Sequence, residues 1–297
     1  MMPQRVSVRA FARRVFHAHA LAALLATLAL LGPATARAAE RWIVVAPYVA
    51  EIVVALGGAD RIVAVGGNMD HLEPLARVPR LPGFRQSSAE TLLAFAPTRL
   101  LVTDDRVAPA VLDQLRAAGV RIEMLETEQT PAGAERRIRQ VAPLIGKAEA
   151  GERLVERFRR EMAEVAGEVA RLKSRPRALF ILAGGKRPLI VGGRGTAVAQ
   201  LLELAGAINV AAEIEGWKPM SQEAMVKSAP EAILTNRDGL TPTGDGVPIA
   251  LRAPGAEATP AAKSGRLIHI PDRYLGGLGI HTPEGLRLLM RELTKAR

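Results

Sequence analysis

The chain has 297 residues, no cysteine, aromatics at 3%, and 40 basic against 30 acidic residues, for a formal net charge of +10. No run of Lys and Arg interleaved with aromatics occurs, which excludes a nucleic-acid-binding composition, and without cysteine there is no disulfide or thiolate site. Residues 1–38 hold five of the bases (Arg5, Arg9, Arg13, Arg14, Arg37) and no acid, so the rest carries 35 bases against 30 acids, a net +5 that suits a small anionic ligand.

That basic start is followed by a mostly apolar run over residues 18–31 and then by Ala36-Arg37-Ala38. This is the layout of a secretory signal peptide, with cleavage expected near Ala38; the run is too short to span a bilayer. The pair Arg13-Arg14 leaves twin-arginine export open beside the general route. With no cysteine to carry a lipid anchor, the expected location is the periplasm.

Next, a strand is read over 42–46, ending at Pro47, and a helix over 51–56, stopped by Gly57-Gly58. A second strand covers 61–65, then come a strand over 100–102, a helix over 108–118 and a strand over 120–124. Such alternation predicts a parallel sheet covered by helices. The period then changes: Leu154, Phe158, Met162, Val165, Val169 and Leu172 form one apolar stripe on a single helix over 148–173, about 39 Å long at 1.5 Å per residue. Pro176 stops it. Strands over 178–182 and 267–270, a Pro- and Gly-rich stretch over 239–265 with a helix near 249–252, and a closing helix over 283–295 complete the chain. The organisation predicted is a signal peptide (1–38), an N-terminal α/β lobe (39–147), a long connecting helix (148–175) and a C-terminal α/β lobe (176–297).

A repeat supports two similar lobes. Ser88-Ala89-Glu90-Thr91-Leu92-Leu93-Ala94-Phe95-Ala96-Pro97 returns 133 positions later as Ser221-Gln222-Glu223-Ala224-Met225-Val226-Lys227-Ser228-Ala229-Pro230. Each copy reads as a serine-capped helix, a proline stop and a buried strand. Two equal lobes leave a cleft, where ligands sit.

Four further strings, in order, resemble the periplasmic substrate-binding proteins of ABC importers for haem, iron chelates and corrinoids, the haem branch above all. They are Ala50-Glu51-Ile52-Val53-Val54-Ala55-Leu56-Gly57; Val78-Pro79 through Arg85 to Ser88-Ala89-Glu90; Gly193-Arg194-Gly195-Thr196; and Glu215-Gly216-Trp217-Lys218-Pro219-Met220-Ser221. The resemblance implies a class III binding-protein fold, two lobes with parallel sheets joined by one rigid helix. It implies haem as transported ligand with no catalytic cofactor, and a monomer that serves an inner-membrane permease dimer with its cytoplasmic ATPase.

In that branch a tyrosine after the second strand ligates ferric iron, and counting back from Ser88-Ala89-Glu90 its position falls on His71. Imidazole is also a common axial ligand, so the resemblance implies His71 as the metal ligand; the alternative is a solvated loop histidine between Asp70 and Glu73. Haem propionates call for cations, with Arg85 leading and Arg194 and Lys218 next. Tyr48, Trp217 and Tyr274 are the scarce aromatics available for porphyrin walls. His281, in the glycine-rich loop that opens the last helix, falls at the cleft in this family. His269 alternates with Ile268 and Ile270 and is read as structural. Glu90 and Glu223 suit helix N-termini on physical grounds, and the resemblance implies that both dock on permease arginines. A ferric-siderophore or corrinoid carrier remains an alternative, as does an exported α/β enzyme acting on a small anion. The enzyme reading lacks a Gly-x-Ser-x-Gly elbow, a cysteine nucleophile and a His-x-x-x-His pair.

Overall fold

The computed structural model describes the chain from Glu40 to Lys295, apart from residues 68, 82–86, 104–106 and 185–187. The predicted signal segment and Arg85 therefore lie outside the described residues. Among the described residues no helix is long and apolar enough to cross a membrane.

The first sheet is built from β1 (Trp42–Val44), β2 (Ile62–Gly66), β3 (Arg80–Leu81), β4 (Arg99–Thr103) and β5 (Arg121–Leu125). All four pairings are parallel and the order is β3-β2-β1-β4-β5. β1 and β4 are buried along their whole length, as expected of strands covered on both faces. The covering helices include α1 (Pro47–Ala55), α2 (Ala89–Leu93) and α3 (Pro109–Ala117). α1 starts four residues earlier than the sequence reading placed it. Pro47, taken there as a strand stop, occupies the start of the helix, where its missing N–H costs nothing. Tyr48 and Glu51 thereby become buried residues of the early helix.

Two helices link this sheet to the next. α4 (Pro131–Ile145), which the sequence reading passed over, begins at a cap where Thr130 Oγ1 accepts from Gly133 N at 3.1 Å. It ends on Gly146 at φ 76, a left-handed turn that glycine adopts without strain. α5 (Ala148–Val169) follows, 22 residues or about 33 Å long, ending short of the predicted residue 173. Leu154 and Val155 on its first half join the core of Trp42, Ile52 and Ile138. Val165 on its second half joins a different core with Phe180, Leu201 and Leu286. One apolar stripe thus seals two cores in turn, which makes α5 a spine. A Cβ on Gly151 would lie 2.4 Å from Ala142 Cβ, so the backbone of α5 packs directly on the Ala142 methyl of α4 there.

The second sheet contains β6 (Arg177–Leu182), β7 (Ile190–Gly192), β8 (Ile208–Asn209), β9 (Trp217–Lys218), β10 (Ala232–Thr235) and β11 (Leu267–His269). Its order is β11-β10-β6-β7-β9, with β8 also on β6. β6, β8, β10 and β11 are parallel, whereas β7 pairs antiparallel with both β6 and β9. The chain returns from β6 to β7 over residues 183–189, too short for a parallel crossover, so this sheet is mixed at one edge. Its helices are α6 (Ala197–Leu204), α7 (Gln222–Ser228), α8 (Pro260–Lys263) and α9 (Thr282–Thr294). Arg287 on α9 ion-pairs with Glu164 and Glu168 of α5, at 2.8 and 3.2 Å. Both sheets belong to one compact unit, Arg41–Arg297.

The internal repeat is structural as well as textual. Ser88 Oγ accepts from Thr91 N at the start of α2, and Ser221 Oγ accepts from Ala224 N at the start of α7, both at 3.2 Å. The matching alanines before each proline, Ala96 and Ala229, take φ 45 and φ 42, a conformation that costs a non-glycine residue on the order of 1 kcal/mol. Ala96→Gly and Ala229→Gly should each gain roughly 0.5 kcal/mol once glycine's greater unfolded-state entropy is set against the relieved strain. Thermal unfolding of the double variant checks this: its midpoint should rise by about 2–4 °C, and a fall would contradict the strain.

Candidate ligand cleft between the two halves

β2 of the first sheet and β10 and β11 of the second lead at their carboxyl ends into loops that line a common gap, the position where α/β sheets bind ligands. Beyond β2 the chain turns through Met69, Asp70 and His71. Met69, Leu72 and Leu75 are buried anchors of that loop, and Arg80 donates to Asp70 Oδ1 at 3.0 Å. His71 therefore stands on a pinned segment with a side chain only 16% exposed. From the other half, β10 leads into Asn236, Arg237 and Asp238, while β11 carries His269 and leads into Pro271, Asp272 and Arg273. These residues line one cleft of ≈ 500 Å³ together with Asp70 and His71. That volume lies inside the usual range of small-molecule sites, roughly 300–1,000 Å³.

The cleft walls are tied into the fold on both sides by hydrogen bonds. His71 Nε2 is 2.9 Å from Oε1 of Glu51, a carboxylate only 2% exposed. Asn236 accepts from Ala183 N at 3.1 Å and donates to Ala183 O at 2.7 Å, tying β10 to the end of β6. Arg273 donates to Glu284 Oε1 at 2.8 Å, and its guanidinium lies 4.7 Å from the Tyr274 ring centre. Among the described residues no three His, Cys, Asp or Glu side chains gather as a cage for a bare metal ion. The cleft instead combines imidazoles, arginines and aspartates.

Beside it the glycine-rich loop 276–279 presses onto α1. A Cβ on Gly277 (φ 141) would fall 2.3 Å from Tyr48 Cε1, and one on Gly279 would fall 2.8 Å from Tyr48 Cβ. Leu278 O accepts from Arg137 Nη2, and Leu278 N donates to Gln129 Oε1 at 2.9 Å. Arg137 is wholly buried; it also donates to Glu126 O at 3.2 Å and Glu128 O at 2.9 Å. Desolvation pulls its pKa below the ordinary arginine value. The backbone N–H of Glu128, and next the Arg136 guanidinium, hold the Glu126 carboxyl down at about 2, keeping the segment that carries Gln129 in place. This latch joins the two halves.

The predicted site residues divide accordingly. His71 lines the cleft. Tyr48 does not: it is 2% exposed, its hydroxyl lies 3.1 Å from Thr103 Oγ1, and its ring sits 4.7 Å from the Arg137 guanidinium in the latch. Tyr274 is likewise buried in the second core, where desolvation first, then its hydrogen bond with Glu284, pushes its pKa up to about 12. Trp217 and Lys218 are exposed on the edge strand β9, with the indole edge-to-face against Phe180 at 5.9 Å. Arg194 borders a separate groove of ≈ 660 Å³ with Gln129, Thr196 and Asn209. His281 opens α9, 3.8 Å from Glu284, in a narrow crevice that Glu51, Gly277 and Gly279 also line. Glu90 and Glu223 are exposed in the first turns of α2 and α7.

Sequence reasoning missed Glu51, which holds His71, and Asn236, Arg237 and Arg273, which line the cleft. The last three each follow a strand of the second sheet within a few residues. Reading outward from strand ends was the signal available.

Two α/β halves clamped across a polar cleft and braced by one long helix define a substrate-binding protein of the class III architecture. The chain matches the periplasmic binding protein family over residues 43–274 and belongs to that family. Its fold is similar to the periplasmic haem-binding protein RhuT from Roseiflexus sp. RS-1 in apo form. That likeness has a TM-score of 0.80 and 32% identity, over 86% of this chain and 98% of the other. It is also similar to a periplasmic haem-binding protein from Pseudomonas aeruginosa, with a TM-score of 0.76 and 31% identity over 87% and 94%. A vitamin B12-binding protein of Yersinia pestis is 27% identical over 221 residues, 73% of this chain and 75% of that one.

Proposed function

We propose that this chain captures haem in the cleft between its halves and hands it to the permease of an ABC importer. The observation that carries the reading is His71, an imidazole on a pinned loop, facing Arg237 and Arg273 across one cleft. Ferric haem presents an iron that takes an axial nitrogen and two carboxylates that pair with guanidinium groups. With one ring nitrogen of His71 on Glu51, the other is left for iron, and the carboxylate fixes the orientation of the ring. Arg237 and Arg273 take the propionates, with Arg85 as a further candidate. The haem-binding names of the two structural relatives support this reading.

The rest of the proposal concerns delivery. Export by the N-terminal segment, cleaved near Ala38, brings a monomer to the periplasm. Glu90 and Glu223 then dock one on each copy of the permease dimer, which a cytoplasmic ATPase drives. Nothing in this cycle calls for catalysis by the chain itself.

Hemin titration of the mature protein tests the ligand. A saturable Soret band is expected, and His71→Ala should shift the band and weaken binding by at least about tenfold, as loss of a direct metal ligand does. The corrinoid reading, favoured by the vitamin B12-binding relative, predicts retention of cyanocobalamin and no Soret band. That outcome would overturn the haem proposal.

A further inference from the structure

The string Gly193-Arg194-Gly195-Thr196 takes no part in the cleft around His71. Arg194, Gly195 and Thr196 instead line the groove of ≈ 660 Å³, which shares no lining residue with that cleft. The groove has a wall from each half: Thr127 to Thr130, between β5 and α4, on one side, and α6 with the residues flanking it on the other. Gln129 belongs both to this groove and to the latch, where its Oε1 accepts from Leu278 N at 2.9 Å, so the groove adjoins the latch. Its volume, like that of the cleft, lies in the range of small-molecule sites, roughly 300–1,000 Å³.

The charges on the lining do not cancel. Arg194 reaches no carboxylate among the described residues, and Arg175 donates only to the carbonyls of Gly206 and Ala207, at 3.3 and 3.5 Å. Of the two acids present, Glu128 is paired with Arg136, and Glu203 has no basic partner among the described residues. Two guanidiniums less one free carboxylate leave one positive charge in excess. Between the charges the lining is apolar, with Ala199, Ala207 and Ile208. Ile208 is 41% exposed although it stands in a strand, β8. A large apolar side chain lying open in a concave groove beside unpaired cations is the combination that small-molecule pockets use.

The geometry points to a second binding site in this groove, for a small monocarboxylate with an apolar body. Arg194 and Arg175 take the carboxylate, as guanidiniums do, and Ile208 with the neighbouring alanines takes the body. One negative charge matches the excess on the lining, whereas a second would meet Glu203. Because the two walls belong to different halves, the bound molecule bridges them next to the latch, whichever cargo the cleft holds.

Isothermal titration calorimetry on the mature chain without cargo tests this with octanoate and 1-naphthoate, each beside its uncharged alcohol, 1-octanol and 1-naphthalenemethanol. One equivalent of at least one acid should bind, at least about tenfold more tightly than its alcohol. Which acid binds separates a straight-chain source from an aromatic one. Arg194→Glu should weaken that binding at least about tenfold, and Ala199→Trp, which fills the groove without changing its charge, should remove it. Circular dichroism reports on folding, and Arg175→Gln gives the charge readout at smaller amplitude should Arg194→Glu fail to fold. Binding of neither acid by wild type overturns the inference. So does equal binding of acid and alcohol, or acid binding that either folded variant leaves at wild-type strength. None of these outcomes touches the haem reading, which the hemin titration decides separately.

Discussion

Arg137→Met is expected to cost about 3–5 kcal/mol of stability, the scale for removing a fully buried hydrogen-bonded charge, and to lower the thermal midpoint by roughly 10 °C. The side chain is wholly enclosed and serves three carbonyls at once, those of Glu126, Glu128 and Leu278. Two of these belong to the first half and one to the loop of the second, so the variant strands acceptors on both sides of the latch. Each unsatisfied buried acceptor costs about 1–3 kcal/mol. Methionine fills much of the space and keeps packing on the Tyr48 ring, so the loss isolates the polar contribution. Arg136, one residue earlier, is the control. It pairs with Glu126 and Glu128 from a half-exposed position, and Arg136→Met should leave stability nearly unchanged. Urea or thermal unfolding of the two variants side by side decides the matter. Equal and small losses would mean that the latch contributes little. A loosened latch should also speed ligand release, because it holds the loop 276–279 down on α1 beside the cleft.

Much of the scaffold was readable because its causes are local. Alternating apolar strands and helices, the glycine stops after α1 and β2, and the paired serine caps all depend on neighbours within a few residues. What escaped depended on distance. α4 carries its apolar face on Ala134, Ile138, Val141, Ala142 and Ile145, but Pro131, Gly133 and Pro143 lie within the same span and mask the period. Tyr48 and Tyr274 were assigned to the cleft for their scarcity. In the folded chain they serve the latch and the second core, where a large ring with a polar tip fills a seam. Gly277 presses on the Tyr48 ring and Gly285 on the Tyr274 ring, and for Tyr48 that contact lies over 200 residues away in sequence. His71 was picked out only through the family resemblance, by counting back from Ser88-Ala89-Glu90, and it does line the cleft. Arg237 and Arg273 had no such marker, and their place at the cleft emerges only when the carboxyl ends of β10 and β11 are brought opposite β2.

Glu90→Lys combined with Glu223→Lys should abolish haem delivery to the permease while leaving haem affinity unchanged. Both carboxylates are solvent-exposed, and neither lines the cleft, so ligand binding has no reason to respond. Stability should change little as well: an acid in the first turn of a helix contributes about 0.3–1 kcal/mol through the helix dipole. The reason to expect a large effect on delivery lies in the duplication. Two acids at equivalent positions behind identical serine caps, one on each half, match a receptor built from two identical copies, each contributing a cation. Close charge pairs across such an interface carry coupling energies of about 1.5–7 kcal/mol, so each single reversal should slow delivery by roughly tenfold or more, and the pair should multiply. Because one contact lies on each half, the receptor would read the angle between the halves, and thereby whether the clamp is closed on its cargo. Haem-stimulated ATPase activity of the reconstituted permease measures this directly, with hemin titration of the same variants as the control. Wild-type stimulation by the double variant would remove the docking role. Equal loss in one single variant and none in the other would leave a single contact and no sensing of the clamp.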